Sequence, residues 1–262
     1  MALAKRPFKK RMSRGKFLLS IIVFVSFLFA NYKAYDLLVG FATSPTTFPI
    51  SRVVVLGNLK YITKEEIVAT VGKMAGGHNL VSYDIDLLHN ALVQMPWVSK
   101  VSVRKKMPDT IEIRLVEHFP SARWKSTGLY DANTDSVFYP DMQNLNFSLV
   151  TLSAPHDTLA GELYAHAYQF MKLTAKTPYL IKEVHLDAAR GYRVLLEGDV
   201  WLILGRESYD ELPLIRLKRF ILAFGQTKLK LQDVEYVDLR YDNGFAVGER
   251  QQQADVPSTS KP

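Results

Sequence analysis

Asp131-x-Asn133-x-Asp135 is the nearest this chain comes to a metal-ligand set. Alternating oxygen side chains of that kind open a calcium-binding EF-hand loop. Such a loop also needs glycine at its sixth position and a bidentate glutamate at its twelfth. Those positions hold Ser136 and Met142, so the residues read as a polar turn between two strands. The six histidines (His78, His89, His118, His156, His166, His185) include no i, i+4 pair and no metal-ligand spacing. The absence of cysteine removes thiolate nucleophiles, zinc–thiolate sites and iron–sulfur clusters. There is no Gly-x-Ser-x-Gly elbow, phosphate-cradling glycine loop or dinucleotide fingerprint. Glu65-Glu66 sits where a helix begins, and carboxylates there suit the helix dipole. Trp97 and Trp124 read as packing residues. The sequence therefore predicts no catalytic residue, no metal and no cofactor.

Charge decides the next question. Of 33 basic residues, seven (Lys5, Arg6, Lys9, Lys10, Arg11, Arg14, Lys16) precede Phe17, with no acidic residue among them. The remainder balances at 26 basic against 26 acidic residues, so the net charge of +7 belongs to the N-terminal segment. A basic pI that comes from so short a tail does not point to nucleic acid. The tail abuts an apolar run, Phe17 to Ala30, that Ala34, Leu37, Leu38, Val39, Phe41 and Ala42 extend past Asn31, Lys33 and Asp36. No small-x-small cleavage site follows it. The pattern predicts an uncleaved signal anchor with the basic side in the cytoplasm. Residues 1–16 are then a cytoplasmic basic segment, 17–40 a transmembrane anchor and 41–49 a linker.

Beyond the linker, two modules are legible. In the first, residues 50–118, a strand runs from Ile50 to Leu56. A helix opens on the capping box Thr63-x-x-Glu66 and stops at Gly72. A second helix is capped by Asp84, with Ile85, Leu88, Ala91, Leu92 and Met95 on one face, and Pro96 ends it. Strands follow through Val98, Val101 and Val103 and through Ile111, Ile113 and Leu115, with Met107-Pro108-Asp109 as the turn. The order is β-α-α-β-β. In the second module, 119–248, Leu129–Asp131 and Val137–Phe138 form a hairpin. Leu159–Leu173 is an amphipathic helix. Leu180–Leu186, Tyr192–Leu196 and Val200–Leu204 are strands, the last two joined by a two-residue Gly198-Asp199 turn. A helix starting near Ser208-x-x-Glu211 runs to about Phe224, and Val234–Tyr241 is the final strand. Residues 249–262 read as a disordered tail. The fold class is α+β: one transmembrane helix, a β-α-α-β-β domain, and a mixed α/β-sheet domain.

These residues carry a resemblance. Val54-x-x-Gly57-Asn58, Gly77-x-Asn79-Leu80, Asp84, Pro96-Trp97-Val98, and Val103-Arg104 adjoining Pro108-x-Thr110 resemble a POTRA domain. Glu117-x-x-Pro120-x-Ala122-x-Trp124 is similar to the bridge from POTRA to β domain in FtsQ/DivIB cell division proteins. Tyr236-Val237-Asp238-Leu239-Arg240-Tyr241-Asp242-x-Gly244 is similar to that family's C-terminal signature. Two positions depart from the pattern. Asp135 stands where a turn glycine is usual, and Glu249 where an aromatic residue is expected shortly after Gly248.

The resemblance implies a non-catalytic, single-pass scaffold of the division septum in the inner membrane, with its C-terminal domain periplasmic. Its partners would be FtsB/DivIC-like and FtsL-like division proteins and other divisome membrane proteins, and it would link early division proteins to septal peptidoglycan synthesis. It implies no nucleic acid and no small-molecule substrate. A terminal strand beside a tail tends to be a sheet edge open to strand addition. The partner-binding residues expected there are Tyr236, Arg240, Tyr241, Asn243, Gly244 and Phe245. A POTRA-containing secretion or outer-membrane assembly factor is the alternative, but it would carry repeated POTRA units or a β-barrel. A cell-wall enzyme on the same anchor lacks a catalytic constellation.

Overall fold

The computed structural model describes residues 14–143, 145, 147–208 and 212–250. The chain divides into two compact units. One takes in the chain to Gln94 with Lys100–Val116, the other Met95–Ser99 and the chain from Glu117 onward.

The first unit opens with α1, Arg14–Thr43, a 30-residue helix. At 1.5 Å per residue it is about 45 Å long, more than the roughly 30 Å of a bilayer core. It is apolar enough to cross a membrane, and its apolar side chains are exposed. Asn31 does not break it, because its Nδ2 donates to the Phe27 carbonyl at 2.7 Å, one turn back. The polar residues that complicate the span in the sequence thus lie inside one continuous helix.

Next come β1 (Arg52–Leu56), α2 (Lys64–Met74), α3 (Ile85–Val93), β2 (Val98–Lys106) and β3 (Thr110–Glu117). The sheet order is β1-β3-β2, with β1 parallel to β3 and Val53 opposite Ile111. The capping box forms: Thr63 Oγ1 accepts from the Glu66 N–H at 3.2 Å, and Glu66 Oε2 from the Thr63 N–H at 3.1 Å. Asp84 caps α3 by accepting from the N–H groups of Asp86 and Leu87, each at 3.0 Å. Ile67, Val71, Leu88, Leu92, Ile111 and Ile113 are fully or almost fully buried between helices and sheet. Gly57 has φ +145°, and a Cβ there would run into the Leu115 carbonyl oxygen.

The second unit holds β4 (Ala122–Trp124), β5 (Gly128–Asp131), β6 (Ser136–Phe138), β7 (Thr151–Ser153), α4 (Ala160–Thr174), β8 (Ile181–Leu186), β9 (Gly191–Leu196), β10 (Val200–Arg206), α5 (Pro213–Phe224), β11 (Val234–Asp238) and β12 (Ala246–Glu249). They form one sheet in the order β12-β11-β10-β9-β8-β7-β4-β5-β6. Two parallel pairs, β7 with β8 and β10 with β11, are each bridged by a helix, α4 and α5 respectively. The helices bury Leu163, Phe170, Leu217 and Phe220 in one core with Val184, Val194, Leu202 and Val237 of the strands.

Several expectations are corrected. The final expected strand stops at Asp238, and a further strand, β12, follows it. The strand 234–238 is therefore interior and β12 is the edge. Glu249, assigned to the tail, is in that strand; the rest of the expected tail after Arg250 lies outside the described residues. Helix α5 starts at Pro213, whose missing N–H costs nothing at a first helical position. Ser208 is not in it, and Glu211 lies outside the described residues. The β9–β10 turn has three residues, since Leu196 faces Val200, with positive φ at Gly198 and Asp199. Strands β4 and β7 have three residues each, too few to show a period.

The residues that looked most like a metal loop are a turn. Asp131 accepts from His118 Nδ1, the Phe119 N–H and the Asn133 N–H at 3.0, 3.0 and 2.9 Å. Asp135 accepts from the Tyr130 hydroxyl at 2.9 Å. Its φ of +48° explains why glycine is the usual choice there. Trp124 is fully buried. Trp97 is half-buried, with its ring edge-on to Phe138 at 5.2 Å.

Candidate partner-docking edge

Strand β12 pairs antiparallel with β11, from Asp238 opposite Ala246 to Val234 opposite Glu249. Among the described residues no strand lies on its other side. An edge strand presents a row of backbone donors and acceptors that another chain can pair with. Both ends of this edge are fastened. At one end, Arg250 Nη2 donates to the carbonyls of Gly198 and Asp199 in the β9–β10 turn, each at 3.0 Å. At the other, residues 239–245 form the loop from β11.

The loop begins in the core. Leu239 is buried, and its N–H donates to the Ile203 carbonyl at 2.9 Å, which extends the parallel pairing. Arg240 then turns outward, and its guanidinium grips the buried Asp238 carboxylate: Nε to Oδ1 at 2.9 Å and Nη2 to Oδ2 at 2.6 Å. The hydrogen bond from Arg240 holds the Asp238 carboxyl below the usual carboxylate range, against burial. The stem of Arg240 lies over Gly205, which has φ +74°; a Cβ there would come within 2.9 Å of Arg240 Cγ.

Helix α5 supports both strands from beneath. Arg216 Nη1 donates to the carbonyls of Leu204 and Arg206, each at 2.7 Å, at the irregular end of β10. One turn on, Arg219 reaches three loop carbonyls: Nη1 to Asp242 at 2.9 Å, Nη2 to Leu239 at 2.9 Å and to Tyr241 at 2.7 Å.

The six residues expected to bind a partner divide into three groups, and Arg240, exposed above Asp238, belongs with the first. Tyr241 is 58% exposed, and Asn243 is exposed beside it. Phe245 faces inward, its ring 6.1 Å from that of Phe224, with Gly244 half-buried before it. Tyr236 lies across the sheet over Gly248, apart from the loop, and remains 40% exposed. Beside Arg240 is an open cleft lined by Asp187, Tyr192, Arg193 and Arg206. Sequence reasoning missed Gly205 and Arg219, gave Asp238 no role of its own, and did not foresee strand β12, although it singled out Gly248 and Glu249. No periodic signal could have found a four-residue Ala-Val-Gly-Glu strand.

Residues 48–118 match the family model for the FtsQ-type POTRA domain, and residues 122–240 that for the C-terminal part of cell division protein FtsQ/DivIB. The chain is 34% identical to the cell division protein FtsQ of Vibrio cholerae over 200 residues, covering 76% of this chain and 75% of the relative. The chain belongs to the FtsQ/DivIB family of cell division proteins. The FtsQ of Aliivibrio fischeri is 31% identical, with 80% of each chain covered. The FtsQ of Escherichia coli is 28% identical over 91% of this chain and 86% of its own length. With α1 ahead of the POTRA domain, this FtsQ-family chain is a membrane-anchored cell division protein. The C-terminal family match stops at Arg240, so Tyr241 and the whole of β12 lie past it.

Proposed function

We propose that this chain is a non-catalytic, bitopic scaffold that recruits FtsB/DivIC-like and FtsL-like partners at the division septum. Its basic N-terminal segment stays in the cytoplasm, and both folded units lie on the outer face of the inner membrane. Through its partners it links early division proteins to septal peptidoglycan synthesis. The observation that carries the reading is the edge of β12, unpaired among the described residues, beside an exposed Tyr241. A partner strand adds there by backbone pairing, and side chains supply the specificity. Tyr241 and Asn243 meet the partner directly. The arginines of the cleft next to Arg240 favour an acidic partner side chain. Phe245 and Gly244 set the entry into β12, and Tyr236 stiffens the sheet behind it.

The test is co-purification of an FtsB-like protein with the full chain. Tyr241→Glu abolishes it without lowering the melting temperature, and unchanged binding sinks the edge reading. A fluorescent fusion of the full chain gathers at midcell, and depletion produces filaments.

A further inference from the structure

Between Asp238 and Ala246 the chain leaves the sheet, yet this is where Arg240 and Tyr241 must be presented. Three of its carbonyls, those of Leu239, Tyr241 and Asp242, converge on the one guanidinium of Arg219. Carbonyls of neighbouring residues point to one donor group only if the backbone curls around it. That curl turns the side chain of Tyr241 outward, while Leu239 stays in the core. Arg219 itself is fixed on α5, whose other face is in the core through Leu217, Phe220 and Phe224.

We propose that Arg219 is a positioning residue for partner docking. It holds residues 239–242 in the shape that aims Tyr241, and so lets the partner bind a loop already ordered. The inference rests on the docking reading above and deepens it. Fixing a loop residue costs backbone entropy, and a loop left loose would impose that cost on binding. The planar fork of arginine can serve three acceptors at once, whereas a lysine ammonium on a flexible stem cannot hold the same fan.

The experiment uses the full chain in detergent micelles and the FtsB-like protein as probe. Arg219→Ala and Arg219→Lys should each weaken binding about tenfold or more. They should also speed amide exchange in residues 239–245 while exchange in β9 and β10 stays unchanged. Arg219→Lys keeps the charge and the stem, so it remains a fair test if Arg219→Ala folds poorly. In a Tyr241→Ala background, Arg219→Lys should add less than about a twofold loss, because both changes remove the same contact. Wild-type binding by Arg219→Lys overturns the inference, since charge alone would then suffice. So does a full multiplication of the two losses. Unchanged binding by Tyr241→Ala instead sinks the docking reading itself and the inference with it, so the two failures are distinguishable.

Discussion

The ring of Tyr236 lies over Gly248, its partner in the β11–β12 register. A Cβ at residue 248 would overlap that ring. An aromatic side chain over a glycine in the edge strand keeps the edge flat and ordered without a side chain of its own. Gly248→Val must therefore displace either Tyr236 or β12, an overpacking that costs about 1–3 kcal/mol. Amide protection in β12 should fall while that in β9 and β10 persists, and binding of the FtsB-like protein should weaken. Unchanged β12 protection would show that the ring moves aside freely.

A second prediction concerns acid. The Asp131 side chain is 2% exposed. Burial pushes its carboxyl up, but the hydrogen bonds from His118, Phe119 and Asn133 outweigh burial, and the net direction is down. In the unfolded chain the same group titrates near 4, about its ordinary value. Between the two values the unfolded chain binds the proton and the folded chain does not, so stability falls as pH falls. The contribution is complete above about pH 4 and is lost as pH drops through the folded value. Asp131→Asn should cost about 1–3 kcal/mol at neutral pH by leaving buried donors poorly served. The difference in melting temperature between wild type and variant should then narrow toward low pH. A gap that stays constant with pH rules out this role for Asp131.

The buried indole of Trp124 gives a third. Its Nε1 donates to Asp157 Oδ1 at 2.8 Å, and the Tyr139 hydroxyl donates to Oδ2 of the same carboxylate at 2.5 Å. Asp157→Ala strands a donor on a side chain with no solvent access, a loss of about 1–3 kcal/mol. Asp157→Asn keeps an oxygen for the indole and should recover part of it. Chemical denaturation followed by tryptophan fluorescence separates the two variants. Equal stability of Asp157→Ala and wild type would mean that water replaces the carboxylate.

What the sequence made legible follows from how local each signal is. The Thr63/Glu66 box, the Asp84 cap and the periodic faces of α3 and α4 are set within one or two turns of chain, and they form as read, although α2 runs past Gly72 to Met74. Asp135, which stands where the resemblance expects a turn glycine, has a positive φ. The site was harder, because its parts are joined by non-local contacts. Asp238, Arg240 and Tyr241 could be singled out in a string, but the glycine under the Arg240 stem and the guanidinium that curls the loop come from β10 and α5. The edge was misplaced for the same reason. Strand β12 is too short to carry a period; it forms by pairing with β11, and its end is fastened to Gly198, 52 residues away in sequence, by Arg250.

The last prediction gives a role to a residue that the sequence offered only as part of a string, Gly77-x-Asn79-Leu80. Asn79 is fully buried. Its Nδ2 donates to the carbonyls of Ala42 and Ser44 at 2.6 and 2.8 Å, and its Oδ1 accepts from the Ser82 N–H at 2.8 Å. The carbonyls at the end of α1 have no partner within the helix and need one from outside. Asn79 supplies it and ties the membrane helix to the loop before α3. Asn79→Asp should be worse than Asn79→Ala: the carboxylate faces two carbonyl oxygens with no proton to give, and burial leaves that repulsion unscreened. Both variants should make residues 44–49 more sensitive to limited proteolysis in the membrane-embedded chain, with Asp above Ala. If Asn79→Asp resists the protease as wild type does, another group holds the end of α1.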